Sequence, residues 1–293
     1  MITASFQRYI EQELTKKAGR KIHINRIVPV SGGSINATSK LETTGGHFFL
    51  KANDAFSYPA MFEKEAAGLE LLRSTETFVI PQIILQDEFE DLAFLLLSFI
   101  RETEQKKNFW EEFGSQLANL HGNTSNVFGY EEDNYIGSLV QSNRRHNNWP
   151  DFFITERLEF QLASALKSGK MDQSDVTAFN LLFRKLDTLM PKESPALLHG
   201  DLWNGNFMVG ENGLPCLIDP AVYYGHREMD LAMTRLFGGF DDRFYQSYDE
   251  SLSLTSGFEE RKDIYNLYPL LVHVNLFGGK YVNDVRSIVK RYV

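Results

Sequence analysis

The sequence predicts an α+β chain in two lobes: a small antiparallel sheet with a helix, then a larger and mainly helical body. Three observations predict it. Up to residue 97 the text is mostly strand-like and is punctuated by glycine pairs. Beyond it, apolar residues recur at helical spacing. Short strand text returns only once, around the polar stretch His199-Gly-Asp-Leu-Trp-Asn-Gly-Asn206 and Leu217-Ile-Asp-Pro220. At 293 residues, 43% of them apolar, the chain exceeds the usual size of a single core and has ample material for two lobes. The expected division is residues 1–97, a linker at 98–100, and residues 101–293.

Phe6, Ile10 and Leu14 lie at i, i+4, i+8, which is the stripe of a short amphipathic helix. Strands are expected at 21–30, 37–42 and 47–51, with turns at Gly32-Gly33 and Gly45-Gly46. Residues 61–73 read as a helix burying Phe62, Ala66, Leu69 and Leu72, and 79–85 and 92–97 as two more strands. Phe109, Phe113, Leu117 and Leu120 form the next helical stripe, and Val176, Phe179, Phe183, Leu186 and Met190 a later one. Trp149-Pro150 predicts a helix start with proline in the first turn. Residues 123–148, rich in Asn, Gly, Ser and charge, read as a long surface excursion. Small strands are expected at 196–198, 207–209 and 216–218, with Glu211-Asn-Gly213 as a hairpin turn between the last two. Helical text resumes at Glu228 and continues, with breaks, to the end.

The net charge of −9 argues against nucleic acid or an anionic membrane as the main partner. One cysteine, Cys216, excludes an intrachain disulfide and points to a reducing compartment. The N-terminus lacks the plan of a secretory signal, and the longest apolar run, Leu92 to Leu97, is far short of the roughly twenty residues that span a bilayer. A soluble cytoplasmic protein is expected. There is no metal-binding Cys/His cluster and no GxSxG elbow, so nucleophilic hydrolysis has no foothold.

Asp201, Asn206 and Asp219 place a carboxylate, an amide and a second carboxylate within about twenty residues. Phosphoryl transfer needs such a set: one group on the acceptor hydroxyl and two on magnesium, whose hard character favours oxygen ligands. Protein kinases use an Asp, an Asn five residues on, and an Asp on a following strand. A lone HGD or NGN is common turn text, so the signal lies in their order between short strands. Asp201 is the candidate catalytic residue, and Asn206 and Asp219 are the candidate Mg²⁺ ligands.

Lys51 ends the apolar strand Phe48-Phe-Leu50, where a lysine is ordinarily just solvated. Glu65 lies between Phe62 and Leu69 on the inward stripe of its helix, and a carboxylate there needs a compensating cation. Paired with Glu65, Lys51 would be presented to the ATP phosphates; if Glu65 lies at the helix margin, it reaches water instead. Gly32, Gly33 and Ser34 form a turn whose N–H groups could approach phosphate, although neither GxGxxG nor a Walker A pattern is met. Ser98, Phe99 and Ile100 fall where the lobes join and could offer backbone groups to adenine, on position alone. Asp230 reads as structural, either a helix-start carboxylate favoured by the dipole or a bond to the catalytic loop, and His199 reads as a loop brace. Cys216 reads as a core residue. Trp203 either packs within its loop or lines the acceptor pocket. Only about eight residues separate Asp219 from Glu228, too few for the long segment with which protein kinases dock a polypeptide.

HGDLWNGN, IDPA, YYGHREMDLAMTRLFGGF, the GGSIN turn and the late Leu267-Tyr-Pro-Leu-Leu271 and Leu276-Phe-Gly-Gly279 stretches resemble the fructosamine kinase (ketosamine-3-kinase) family, over about residues 27–280. The resemblance implies a protein-kinase-like two-lobed fold, with 1–97 as nucleotide-binding lobe, 98–100 as hinge and 101–293 as catalytic and acceptor-binding lobe. It implies ATP- and Mg²⁺-dependent phosphorylation of the 3-hydroxyl of a ketoamine (ribulosamine, erythrulosamine or fructosamine), free or protein-bound. The phosphorylated adduct then breaks down and frees the amine, a deglycation repair. It also matches Asp201 to the proton acceptor, Asn206 and Asp219 to the metal ligands, and Lys51 with Glu65 to the phosphate-holding pair. Two departures stand out: Ser98 replaces the acidic residue many members have at the linker, and Ser34 stands where some members carry a redox-sensitive cysteine. Two competing readings remain. One is a kinase of the same fold acting on an aminoglycoside, choline or homoserine; the other is a pseudokinase, which usually lacks one of the five polar residues present here.

Overall fold

The computed structural model describes residues 2–30 and 35–293. Helix α1 (Ala4–Ala18) starts where the Thr3 hydroxyl accepts the Phe6 N–H at 3.2 Å and stops at Gly19, which adopts φ 63°. Strands β1 (Ile24–Pro29), β2 (Ala37–Thr43), β3 (Gly46–Asp54), β4 (Ile83–Phe89) and β5 (Leu92–Ser98) form one antiparallel sheet in the order β1-β2-β3-β5-β4, with α2 (Met61–Ser74) between β3 and β4. Strand β5 is buried on both faces, as its unbroken apolar run requires. Its alternate side chains separate the two sides: Phe94 and Leu96 pack with Phe6, Ile10 and Leu14 of α1, while Leu95 and Leu97 pack with Phe62, Leu69 and Leu72 of α2. The same alternation puts Leu50 of β3 on the α1 side and turns Lys51 toward α2.

The strand expected from Val79 starts only at Ile83. Val79 makes a single parallel bridge to Cys216, because Pro81 has no N–H to continue a ladder.

The rest of the chain is mainly helical: α3 (Phe109–His121), α4 (Trp149–Phe152) running through a π-helical stretch (Phe153–Glu159) into α5 (Phe160–Lys167), α6 (Gln173–Leu189), α7 (Glu228–Leu236), α8 (Asp242–Ser251), α9 (Phe258–Phe277) and α10 (Lys280–Tyr292). Asn148 caps α4 by accepting the Asp151 N–H at 2.9 Å, with Pro150 in the first turn. Three two-stranded antiparallel ribbons complete it: β6 (Asn134–Ile136) with β7 (Leu139–Gln141), β8 (Ala196–Leu198) with β11 (Tyr223–Gly225), and β9 (Phe207–Val209) with β10 (Pro215–Leu217). Asn212 and Gly213, between β9 and β10, both take positive φ (63° and 68°), as a tight hairpin turn demands. One continuous core includes Leu95 and Leu97 of the sheet, Phe62 and Leu69 of α2, and Leu117 and Leu271 of these helices.

Residues 123–148 differ from the surface excursion expected of them. The β6–β7 hairpin buries Asn134, Gln141, Ser142 and Asn143. Their polarity is satisfied internally: Gln141 Nε2 and Asn143 Nδ2 donate to Asn134 Oδ1 at 2.8 and 2.9 Å, and the buried Arg157 donates to Asn143 Oδ1 at 2.8 Å. Among the described residues no helix is long and apolar enough to cross a membrane.

Candidate active site

The cleft between the sheet and the helical body is lined by Lys51, Glu65, Asp201, Trp203, Asn206 and Asp219 together with the β6–β7 hairpin. On the sheet side, Lys51 Nζ lies 2.6 Å from Glu65 Oε1 and 2.7 Å from Asp219 Oδ1. Lys51 is 4% exposed. Burial alone would lower its pKa, but the carboxylates of Glu65 and Asp219 outweigh burial and hold it above the usual lysine value. Burial drives the Glu65 carboxyl up while Lys51 opposes it. The ammonium is thus charged and fixed at the cleft wall.

The opposite wall is the loop after β8. The Gly200 backbone sits at φ 82°, and a Cβ there would come within 2.0 Å of the Ala221 carbonyl, so only glycine allows the two segments to cross. His199 is buried; its Nε2–H donates to the Ile218 carbonyl at 2.9 Å, and its Nδ1 accepts the Asp201 N–H at 3.3 Å. Burial lowers its pKa, so the ring is neutral and acts as a brace rather than a base. The Ala221 N–H donates to the His199 carbonyl at 2.9 Å. Asp219 itself occupies the left-handed region at φ 54°, a conformation that persists only when its surroundings impose it.

Asn206 joins the two acidic residues. Its Nδ2 donates to the carbonyl and the Oδ2 of Asp201, both at 2.8 Å, and reaches the Asp219 carbonyl at 3.5 Å. Those bonds fix which way the amide points and turn its oxygen away from them. The residues therefore fit a small hard cation: one amide oxygen and one carboxylate, with nucleotide phosphates to complete the shell, is the usual protein share of a Mg²⁺ site. Among the described residues no group of three His, Cys, Asp or Glu could hold a metal alone. The Asp201 carboxyl is pushed up to about 7, first by burial and then by the charges of Asp219 and Asp230, against the Asn206 hydrogen bond. A divalent cation at Asn206 and Asp219 would pull it down again.

The remaining expected site residues fall in different places. Gly32, Gly33 and Ser34 lie outside the described residues. Ser98 ends β5 and Phe99 follows it, with their N–H groups engaged by the carbonyls of Gln82 (2.8 Å) and His47 (3.4 Å). The Ser98 hydroxyl accepts the Gln82 N–H at 2.8 Å. Ile100 packs near Gly210. Trp203 lines the cleft and lies over Gly205, where a Cβ would come within 2.4 Å of its ring. Cys216 is buried on β10, and burial pushes its thiol up to about 12.

Two further contributors, His121 and Gln141, left no clear trace in the sequence, and a third, Asp230, makes the bond to the catalytic loop that is one of its two readings. Asp230 does more than start α7: its two oxygens accept the N–H groups of His199 (2.8 Å) and Gly200 (2.9 Å). His121 of α3 backs Asp230 at 3.3 Å and meets the Tyr248 hydroxyl at 2.8 Å. Gln141 Nε2 donates to the Ala221 carbonyl at 3.0 Å and so ties the β6–β7 hairpin to the segment carrying Asp219. A basic residue in the last turn of a helix gave no hint of His121, and the polarity around Gln141 read as exposure.

Comparisons with known proteins agree on one family. Residues 6–293 match the family model described as Fructosamine kinase. A protein of Vibrio parahaemolyticus named "Probable ketoamine kinase" is 38% identical over 97% of this chain and 98% of its own. The chloroplastic protein-ribulosamine 3-kinase of Arabidopsis thaliana is 37% identical over 94% of this chain and 85% of its own. Among solved structures, a candidate fructosamine-3-kinase of Haemophilus somnus superposes with a TM-score of 0.88 at 28% identity, covering 97% of this chain and 96% of that one. An aminoglycoside phosphotransferase, APH(4)-Ia, in complex with AMP-PNP and hygromycin B superposes with a TM-score of 0.61 at 16% identity, covering 96% and 98%. That likeness shows a shared kinase-like fold.

Proposed function

The chain belongs to the fructosamine kinase family, and we propose that it transfers the γ-phosphoryl group of ATP to the 3-hydroxyl of a ketoamine. The observation that carries the proposal is the grouping of Lys51, Asp201, Asn206 and Asp219 around one cleft in a chain alignable to ketoamine kinases over nearly its whole length. The names of the relatives supply the acceptor class, and the short Asp219–Glu228 connection leaves room for a sugar.

In this reading residues 1–97 and 101–293 act as nucleotide and acceptor lobes about the 98–100 linker. Lys51, oriented by Glu65, holds the α- and β-phosphates. ATP phosphates would take the place of Asp219 at the Lys51 ammonium, and that carboxylate would then be free to hold a metal. Asn206 and Asp219 would hold Mg²⁺, which supplies charge neutralisation on the phosphates. Asp201 aims Oδ1, the oxygen Asn206 does not occupy, at the acceptor hydroxyl and takes its proton late, since a loose phosphoryl transition state asks little early deprotonation. The N–H groups of Ser98 and Phe99 are already engaged, so a backbone N–H bond to adenine falls to Ile100. The single cysteine supports a reducing compartment such as the cytoplasm.

Turnover on synthetic ribulosamine, fructosamine and kanamycin with Mg·ATP tests the acceptor. The ketoamines are expected to react, and kanamycin alone reacting would reject the proposal. Asp201→Asn should cut ketoamine turnover at least about a hundredfold with nucleotide binding intact; undiminished turnover would remove Asp201 from its role.

A further inference from the structure

A row of aromatic rings leaves the cleft at Trp203. Trp203 meets Phe237 edge-on at 5.9 Å, Phe237 meets His273 at 5.1 Å, and His273 meets Phe277 at 5.5 Å and Tyr281 at 4.9 Å. The rings come from the loop after β8, the end of α7, the end of α9 and the start of α10. A core cluster would be covered, yet Phe237 is 37% and Phe277 60% exposed. The row is continuous with the cleft at a second point. Leu276, three residues past His273, reaches within 3.3 Å of where a Cβ would stand on the cleft residue Gly137.

The imidazole in the row has a defined polarity. His273 Nδ1 lies 2.8 Å from the Pro269 carbonyl. A carbonyl only accepts, so Nδ1 carries the hydrogen and Nε2 presents a lone pair. Burial also lowers the pKa of the ring, which keeps it neutral. Aromatic faces are negative and attract cations, and a neutral Nε2 accepts an N–H. Lys280 Nζ already lies 5.3 Å from the Tyr281 ring centre, so a ligand cation belongs at the inner rings.

We infer that Trp203, Phe237 and His273 form the subsite for the amine side of the acceptor, with a protonated alkylamine nitrogen against the rings and its N–H directed at His273 Nε2. The inference rests on the ketoamine reading above. The sugar then lies inward with its hydroxyl at Asp201, and the alkyl chain leaves over Phe277 to solvent.

The test compares kcat/KM for a ribulosyl-alkylamine with kcat/KM for D-ribulose, in the wild type, His273→Phe and Phe237→Leu. The wild type should prefer the amine, and each variant should lose about tenfold of that preference, through acceptor KM, at the strength of a partly desolvated cation–π contact. Unchanged preference in both variants, or equal losses on both acceptors, would overturn the subsite. A titration with an alkylammonium salt, read by tryptophan fluorescence, probes the row without turnover. Saturable binding that weakens about tenfold in Phe237→Leu supports the subsite, and no saturable binding refutes it. A wild type that binds the ammonium but phosphorylates neither acceptor sinks the ketoamine reading and leaves the subsite standing.

Discussion

The two walls of the cleft are built by different means. On the sheet wall, Lys51 and Glu65 meet as side chains from separate elements, and Lys51 reaches across to Asp219. On the loop wall, side chains hold backbone: Asp230 grips two N–H groups, His199 a carbonyl, and Gln141 another. A side-chain pair fixes one charge. A set of side chain–backbone bonds fixes a path of the chain, and with it the φ of 54° at Asp219. The first arrangement can be exchanged for an isosteric neutral pair and keep its fold. The second has no substitute, because the N–H groups remain whatever residue stands at 230.

The sharpest break of this comparison is Asp230→Ala. It leaves the His199 and Gly200 N–H groups without acceptors in a buried site and strips His121 of one of its two partners. Orphaned buried donors cost about 1–3 kcal/mol each, so a loss of roughly 3 kcal/mol or more is expected in urea unfolding, together with collapse of turnover. A variant as stable as wild type would show that the loop holds its own path.

Lys51→Met comes next. It removes the phosphate contact and leaves Glu65 buried without a cation, so both ATP affinity and stability should fall, the latter by about 3 kcal/mol. Adding Glu65→Gln should return most of the stability and none of the ATP affinity. If the double variant stays as unstable as the single one, the pair is not exchangeable and the contrast between the walls fails.

The same contrast explains what could be read from the sequence. Glu65 on an apolar helix stripe and Lys51 at a strand end each carry a local anomaly, and period-2 alternation puts them on one side of the sheet. The order of Asp201, Asn206 and Asp219 is likewise a pattern along the chain. Asp230 left a helix-start carboxylate and a bond to the catalytic loop undecided, because its partners are N–H groups that every residue has. Asn134, Gln141 and Asn143 read as surface because composition reports polarity and cannot report that polar groups satisfy one another in the interior. Pro81 was visible, but its effect on the strand at Val79 depends on which neighbour needs an N–H. The Lys51–Glu65 pair carries an anomaly at both ends, the interactions of Asp230 with backbone leave one end blank, and the Asn134–Gln141–Asn143 bonds show only as polarity.

The smallest effect is expected far from the cleft, where a side-chain pair joins two helices. Asp175 is 6% exposed and accepts from Arg286 Nε at 2.7 Å, linking α6 to α10. It also completes the cap of α6 by accepting the Asp172 N–H at 2.9 Å. Arg286 holds its carboxyl below the usual aspartate value, helped by the Asp172 N–H and opposed by burial. A depressed folded-state pKa means stability that is fully present above the unfolded value of about 3.9 and lost as pH falls through the folded one. Asp175→Asn should therefore cost about 1 kcal/mol at pH 7, or roughly 2–4 °C in Tm, and the gap to wild type should close below about pH 4. Arg286→Met should show the same pH dependence with turnover unchanged. A gap that persists undiminished at pH 3 would mean the α6 cap, not the charge pair, carries the effect, and it would place this site with the backbone-holding wall rather than with Lys51 and Glu65.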